Sequence, residues 1–469
     1  IPLTEVSAMN IVSQTHPDEK TFNDSVRNFM KKFKFGQALF HANAYKVKGI
    51  PVTDVFRYLF QLVFTHRSMY MNLLKMKERA EFMKDVAYRF LNSLFINWQR
   101  FITEISFAVI NEHITPLTAE GRRNVFIVDD TFYGRERSKR VEMLTTVHDH
   151  TDGRYKKGFR LLTLGWSDGS TFIPVNFALL TSENEKKHIC EMKNGLRKNT
   201  NGYKRRLQAK TKAPEVLLQL LDEAVAKGFP AEHILFDSWF SAPSALIAIS
   251  KRSLHVVARV KNTSKVHYQY KGDSVTLSSI YKANKKRRGR SRYLLSVTAA
   301  IHNTEGETMD VRIVFVRDRN NRKKWIAILS TDLELSEEEI IRTYGKRWDI
   351  EVFFKMCKSY LRLSKEFQGL SYDLMVAHTA IVFSRYILLA VENRNATDQR
   401  TLGEMFFFFV DEAQDIQFFD VLQMLLKLLA KALEDFLHLT KAEINAFLDR
   451  FIATLPKYIL DRLRVPEIA

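Results

Sequence analysis

The chain has 469 residues, 46% of them hydrophobic, and carries 72 Lys and Arg against 53 Asp and Glu, a formal net charge of +19. That length holds roughly three domains at about 150 residues each, and the composition excludes a disordered, core-poor chain. The cationic excess points to a polyanionic partner, nucleic acid before an acidic membrane surface.

Two cysteines, Cys190 and Cys357, make neither a disulfide framework nor a metal-ligand spacing, and a reducing cytosol fits them. No uninterrupted apolar run of spanning length and no signal peptide stand out. A cytoplasmic protein is therefore expected.

Residues 1–118 read as helical. In NDSVRNFMKKFKFGQALF and PVTDVFRYLFQLVFTHRSMYMNLLKM basic and aromatic residues interleave, divided by the turn-like KGIP at 48–51. A small DNA-binding domain and a plain helical bundle both fit. From 124 the pattern changes. NVFIVDD is a short apolar strand ending in two acids. GFRLLTLGW and TFIPVNFALL are strands joined by SDGS, a hairpin signal. A basic loop follows at 186–212, then the helix APEVLLQLLDEAVAKG, the strand HILFD with its terminal acid, the helix SAPSALIAISKR and the strand HVVARVK.

Residues 262–335 are β-rich: VHYQY, SVTLSSI, RYLLSVTAAI, MDVRIVFVR and KWIAILST read as strands, with the basic tract KKRRGR at 285–290 on a loop. Ser336 and Glu339 then form a capping box, S-x-x-E, that opens one helix running to about Leu361. At about 100° per residue, Tyr344, Arg347, Glu351, Lys355 and Lys358 share an arc of roughly 80°, with Ile350 and Phe353 facing away. Taken alone, such a stripe is a solvated face with an i,i+4 ion pair. Beyond about 365 the chain is helical. In FFDVLQMLLKLLAKALEDFL polar residues recur every three or four positions, so most of that helix is expected to be buried, and Thr440 with Glu443 caps another.

Three sets of acids stand out: Asp129 or Asp130 at the end of one strand, Asp237 at the end of another, and Glu351 on the striped helix. A strand-end acid in apolar surroundings needs compensation, and converging carboxylates repel one another without a cation. Hard oxygen ligands suit Mg²⁺, and metal ions so held can clamp both oxygens of an in-line phosphoryl transfer.

With these residues the sequence resembles the DDE transposases of bacterial insertion sequences, in the insertion-sequence-four family. That family's signature is Y-x₂-R-x₃-E-x₆-K, and Tyr344, Arg347, Glu351 and Lys358 match every gap. The likeness spans roughly 120–390. It implies an α/β fold with an RNase-H-like, retroviral-integrase-like catalytic core, interrupted by a β-rich insertion domain and flanked by helical N- and C-terminal regions. The corresponding segments are 1–118 (DNA-binding), 119–261 and 336–392 (core), 262–335 (insertion) and 393–469 (helical, dimerising).

The resemblance further implies Asp129, Asp237 and Glu351 as catalytic metal ligands for Mg²⁺, with Mn²⁺ substituting. The D-x-[ST] context favours Asp129 over Asp130. Tyr344, Arg347, Lys355 and Lys358 would hold DNA phosphates, and Trp325 would take a flipped base. The implied activity is cut-and-paste transposition on double-stranded DNA. A homodimer would bind terminal inverted repeats, cut them through a DNA hairpin and join the 3′-hydroxyls to target DNA, in a bacterial cytoplasm at the nucleoid. A purely hydrolytic RNase-H-like nuclease and an inactive, domesticated DNA-binding protein are the alternatives. His148-Asp149-His150 reads as incidental, Cys357 as a core residue and KKRRGR as a phosphate-contacting loop.

Overall fold

The computed structural model describes residues 17–395, apart from 66–67, 70–81, 150–152, 288–290, 319–320, 322–323 and 368, together with 402, 410, 422, 424–435, 437 and 439–455. Arg288–Arg290 of the KKRRGR tract, His150, and parts of FFDVLQMLLKLLAKALEDFL lie outside the described residues.

Among the described residues the fold opens with helices α1 (Pro17–Lys32), α2 (Phe35–His41), α3 (Val52–Gln61), α4 (Lys84–Leu91) and α5 (Trp98–Val109). Most of the described interleaved aromatics turn inward, although Phe40 is exposed. Phe29, Phe33, Phe35, Phe56, Phe60 and Phe101 are all buried around Trp98, in edge and tilted contacts such as Phe56–Phe101 at 5.1 Å. Asn97 caps α5 by accepting from the Arg100 amide at 3.0 Å, the usual relief of an orphan helix donor.

The centre of the molecule is one sheet. Its strands are β1 (Val125–Gly134), β2 (Thr145–Asp149), β3 (Arg154–Ser167) and β4 (Phe172–Leu180), then, after helices α6 (Asn201–Ala209) and α7 (Ala213–Lys227), β5 (His233–Phe236). Helix α8 (Pro243–Ser250) leads to β6 (His255–Val260). Strand β3 pairs antiparallel with β4 on one side and β1 on the other, and β5 and β6 continue parallel to β1. The order β4-β3-β1-β5-β6, three antiparallel strands followed by two parallel ones reached through helices, is an RNase-H-like core.

The 262–335 segment grows from the edge of that sheet. Strands β7 (Tyr268–Tyr270) and β8 (Asp273–Val275), helix α9 (Leu277–Ala283), β9 (Leu295–His302), β10 (Thr308–Arg317) and β11 (Trp325–Ser330) follow in order. Strand β11 pairs antiparallel with β6, and the order runs on as β6-β11-β10-β9-β7-β8.

After β11 come α10 (Glu337–Gly345), α11 (Trp348–Ser359) and α12 (Tyr372–Asn395), with α13 (Lys441–Ala453) near the C-terminus. The capping boxes at Ser336 and Thr440 are both formed. Helix α12 is long and apolar enough to cross a membrane, but its most apolar stretch is wholly buried inside the protein. Within the core, Arg385 donates to the Phe60 carbonyl at 2.9 Å and to Glu366 at 2.7 Å, tying α12 to the N-terminal helices.

Several expected elements differ. SVTLSSI is not one strand: Thr276 accepts from the Ser279 amide and starts α9, so a local cap overrides β propensity. The basic segment 186–212 contains α6, capped by Thr200. Two of its cations, Arg205 and Arg206, are buried. Arg206 Nη2 reaches Glu142 at 2.8 Å and Asp373 at 2.6 Å, so it is withdrawn from any phosphate contact. The helix expected over 337–361 breaks between Gly345 and Trp348. The helix within FFDVLQMLLKLLAKALEDFL is not mostly buried. Among the described residues Leu425, Leu428 and Leu437 are exposed, Leu426 and Leu433 are buried in a small separate core with Ile444, Leu448 and Ile452, and Leu422, Leu429 and Ala430 pack against it partly buried.

Candidate active site

Strand β1 spends its first four side chains, Val125–Val128, entirely in the core and then becomes half-exposed at Asp129. Val128 is the register partner of Phe236 on parallel β5. Asp129 and Asp237, each one residue further on, therefore emerge side by side where the β1–β5 pairing ends, although β1 itself continues beside β3 to Gly134. Burial pushes the Asp129 carboxyl up to about 7, reinforced by Asp130 and Asp237, while the Asp130 amide and Arg347 pull the other way. Burial and the neighbouring acids thus outweigh the arginine beside it.

Consecutive strand residues point to opposite faces. Asp130 accordingly turns to β3, where Arg160 pairs with it. Asp129 turns to the break before α11, where Arg347 Nη1 lies 3.5 Å from Asp129 Oδ2 and Nη2 2.5 Å from Glu351 Oε1. The same guanidinium stands 5.9 Å from the Tyr344 ring. Burial opposes the charge of Arg347, but Tyr344, Glu351 and Asp129 outweigh it and raise its pKa. Its Nε is buried with no hydrogen-bond partner, as is Nη2 of Arg160. Two orphaned guanidinium donors at a cluster of acids suit an incoming anion such as a phosphate.

The break in the helix is anchored. Lys346 Nζ donates to the Arg123 carbonyl at 2.5 Å, and Asp349 accepts from Ser167 Oγ at 2.7 Å. Both partners flank the strand system that carries Asp129, so the junction aims Arg347 and Glu351 back at β1. Asp168, in the β3–β4 turn, is held by Thr118 and Arg394, each at 2.9 Å.

The stripe is thus brought together in part. Tyr344, Arg347 and Glu351 meet at the acids. Lys355 is exposed on the next turn, and Lys358 is half-buried further along, its amine lowered by burial with Asp149 opposing. Trp325, at the start of β11, stacks on Tyr281 at 5.0 Å and meets Phe315 edge-on at 5.0 Å. His148 is exposed on β2, while Asp149 pairs with Lys156 at 2.9 Å. Cys357 is fully buried.

Sequence reasoning missed Arg160, Lys346, Asp349 and Trp239. Arg160 was the readable one, since it is the single cation in an otherwise apolar strand, GFRLLTLGW. Trp239, two residues past Asp237, is 45% exposed and its amide donates to Asp237 Oδ1 at 2.8 Å.

Among the described residues no three His, Cys, Asp or Glu side chains gather closely enough to hold a metal ion. Two carboxylates stand together, and the third is drawn onto Arg347. Their donor chemistry nonetheless fits a hard divalent cation, since oxygen ligands are its preferred set.

The family model for DDE superfamily endonucleases matches residues 57–323, more than half of the chain, and the chain belongs to that family. The matched stretch contains Asp129 and Asp237 and ends before Glu351. No curated protein matches the sequence.

Proposed function

From membership of the DDE superfamily endonucleases, we propose that this chain is a DNA transposase of the insertion-sequence-four type, cutting and rejoining DNA by metal-dependent phosphoryl transfer. The observation that carries the reading is Arg347, which links Asp129 to Glu351 beside Asp237.

Asp129, Asp237 and Glu351 are the residues that would hold Mg²⁺, or Mn²⁺ in its place. Bound metal would supply Lewis-acid stabilisation of the phosphate and a more acidic attacking water or hydroxyl. For Glu351 to join the acids it must exchange its bond to Arg347, which frees that guanidinium for a bidentate phosphate contact. The Tyr344 ring, 5.9 Å from that guanidinium, would help to hold it. Lys355 and Lys358 extend the cationic path along α11, and positioning of this kind is most of what phosphoryl transfer asks of a protein.

The substrate would be the ends of the protein's own element, paired by a homodimer, nicked, and then joined through the freed 3′-hydroxyl to a hairpin or to target DNA. Trp325 is the residue proposed to take a flipped base in that hairpin. To do so its ring must leave Tyr281. The test uses a plasmid carrying the DNA that flanks the coding sequence. Mg²⁺-dependent nicking at discrete positions, followed by strand joining, is expected of wild type. Nicking without joining would reduce the reading to a nuclease, and binding without either would reduce it to a DNA-binding protein.

A further inference from the structure

Behind the acids, β2, β3 and the turn after β5 enclose a trough of about 560 Å³ lined by Tyr155, Arg160, Lys187 and Trp239. Two aromatic rings in it are exposed, Trp239 at 45% and Tyr155 at 61%. Each lies under cations. Arg160 and Lys261 sit 5.0 Å and 4.9 Å from the Trp239 ring, and Lys187 sits 4.9 Å from Tyr155.

Large apolar rings left in solvent, each with a cation against it, are the parts from which single-stranded nucleic acid platforms are made. The rings stack bases and the cations follow the backbone. Of the acids close by, Asp130 is paired with Arg160 and Asp149 with Lys156, which leaves Glu183 as the acid lining the trough. The volume falls within the roughly 300–1,000 Å³ of small-ligand sites, which fits unpaired nucleotides and not a duplex. Trp239 is also fixed to the chemistry, because its amide bonds the Asp237 carboxylate.

We propose that this trough binds an unpaired DNA segment as it leaves the acids, with Trp239 and Tyr155 as its stacking surfaces. The proposal rests on the reading of the protein as acting on DNA, and it concerns a residue pair outside the Tyr-Arg-Glu-Lys stripe.

The test measures fluorescence anisotropy of labelled oligothymidine and of a labelled duplex on the full chain, without metal, so that cleavage plays no part. Trp239→Ala and Tyr155→Ala should each weaken oligothymidine binding by about 5- to 150-fold, the range that removal of a stacking aromatic gives. Duplex binding should stay unchanged, and Trp239→Phe should keep most of the single-strand affinity. Unchanged oligothymidine binding, or an equal loss on both forms of DNA, overturns the proposal. Should Trp239→Ala fail to fold by circular dichroism, Tyr155→Ala, at an exposed strand position, decides on the same terms. The two readings fail separately. A chain that cuts DNA with unaltered single-strand binding loses this inference alone, and one that binds strands here but never cuts loses only the transposase.

Discussion

Asp129 and Asp130 are consecutive on β1 yet meet different arginines: Asp129 lies 3.5 Å from Arg347 on the side of α11, and Asp130 pairs with Arg160 on the side of β3. The consequence is unequal sensitivity. Asp129→Asn should reduce nicking by at least about 10²-fold, comparable with losing one preorganised electrostatic group at a reaction centre. Asp130→Asn should cost less, because it disturbs Arg160 and not the acid pair. Nicking rates of the two variants in parallel check this, and the reverse order would exchange their roles.

Stability should depend on pH through Asp129. Its folded pKa of about 7 lies above the usual 3.8, so the folded state holds a proton that the unfolded chain releases between those values. The stabilising contribution is complete below about pH 4 and is lost as pH rises through about 7. Asp129→Asn, which stays neutral, should therefore raise the melting temperature at pH 8, by an amount equivalent to at most about 4 kcal/mol, and have little effect at pH 4. Mg²⁺ should stabilise wild type at pH 8 and the variant less. Thermal melts across pH, with and without Mg²⁺, decide it; an Asn variant less stable than wild type at pH 8 would show that the Arg347 contact outweighs the burial.

Duplex binding should be steeply salt-dependent. With 6–10 phosphate contacts, affinity would fall about 10³–10⁵-fold between 50 and 200 mM salt. The burial of Arg205 and Arg206 removes two candidates from the basic segment 186–212, so Lys355, Lys358 and the 285–290 tract should carry more of the slope. A binding titration over salt tests this, and a flat response would rule out a phosphate-dominated interface.

Trp325→Ala should impair hairpin formation and, because the ring is also packed, lower stability somewhat. The ring is half-buried between Tyr281 and Phe315, and each aromatic contact is worth about 0.5–1.5 kcal/mol beyond area burial. Hairpin formation lost beyond any loss of nicking is the expected result and shows the ring presented to a base. A lower melting temperature, with nicking and hairpin formation lost only in proportion to unfolding, would instead show a packing role alone.

The parts of the fold that were legible in the sequence are those governed by local rules. The apolar strand running up to Asp237 forms as read, as do the Ser336 and Thr440 capping boxes, whereas β1 does not end at its acids but continues to Gly134, because β3 goes on pairing with it. What was hidden depends on partners far along the chain. No residue between 337 and 361 forbids a continuous helix, although Gly345 weakens it. The break is stabilised by Lys346 reaching the Arg123 carbonyl and Asp349 reaching Ser167. Arg206 reads as a surface cation until Glu142 and Asp373 arrive to bury it. The candidate site shows the same division: its acids and the Arg347–Glu351 spacing are local, whereas Arg160 and Trp239 gain meaning only once β3 and the β5 turn lie together.

The segment between β6 and β11 leaves and re-enters the sheet at neighbouring positions, since Val260 on β6 faces Ala327 on β11. Its two ends are therefore stapled side by side by backbone hydrogen bonds, whatever lies between them. Because loop closure costs grow only slowly with length, this junction is a natural splice point. Lineages could lengthen, trim or exchange the intervening strands without moving the three acids, which makes this junction a place where such a scaffold tolerates re-engineering.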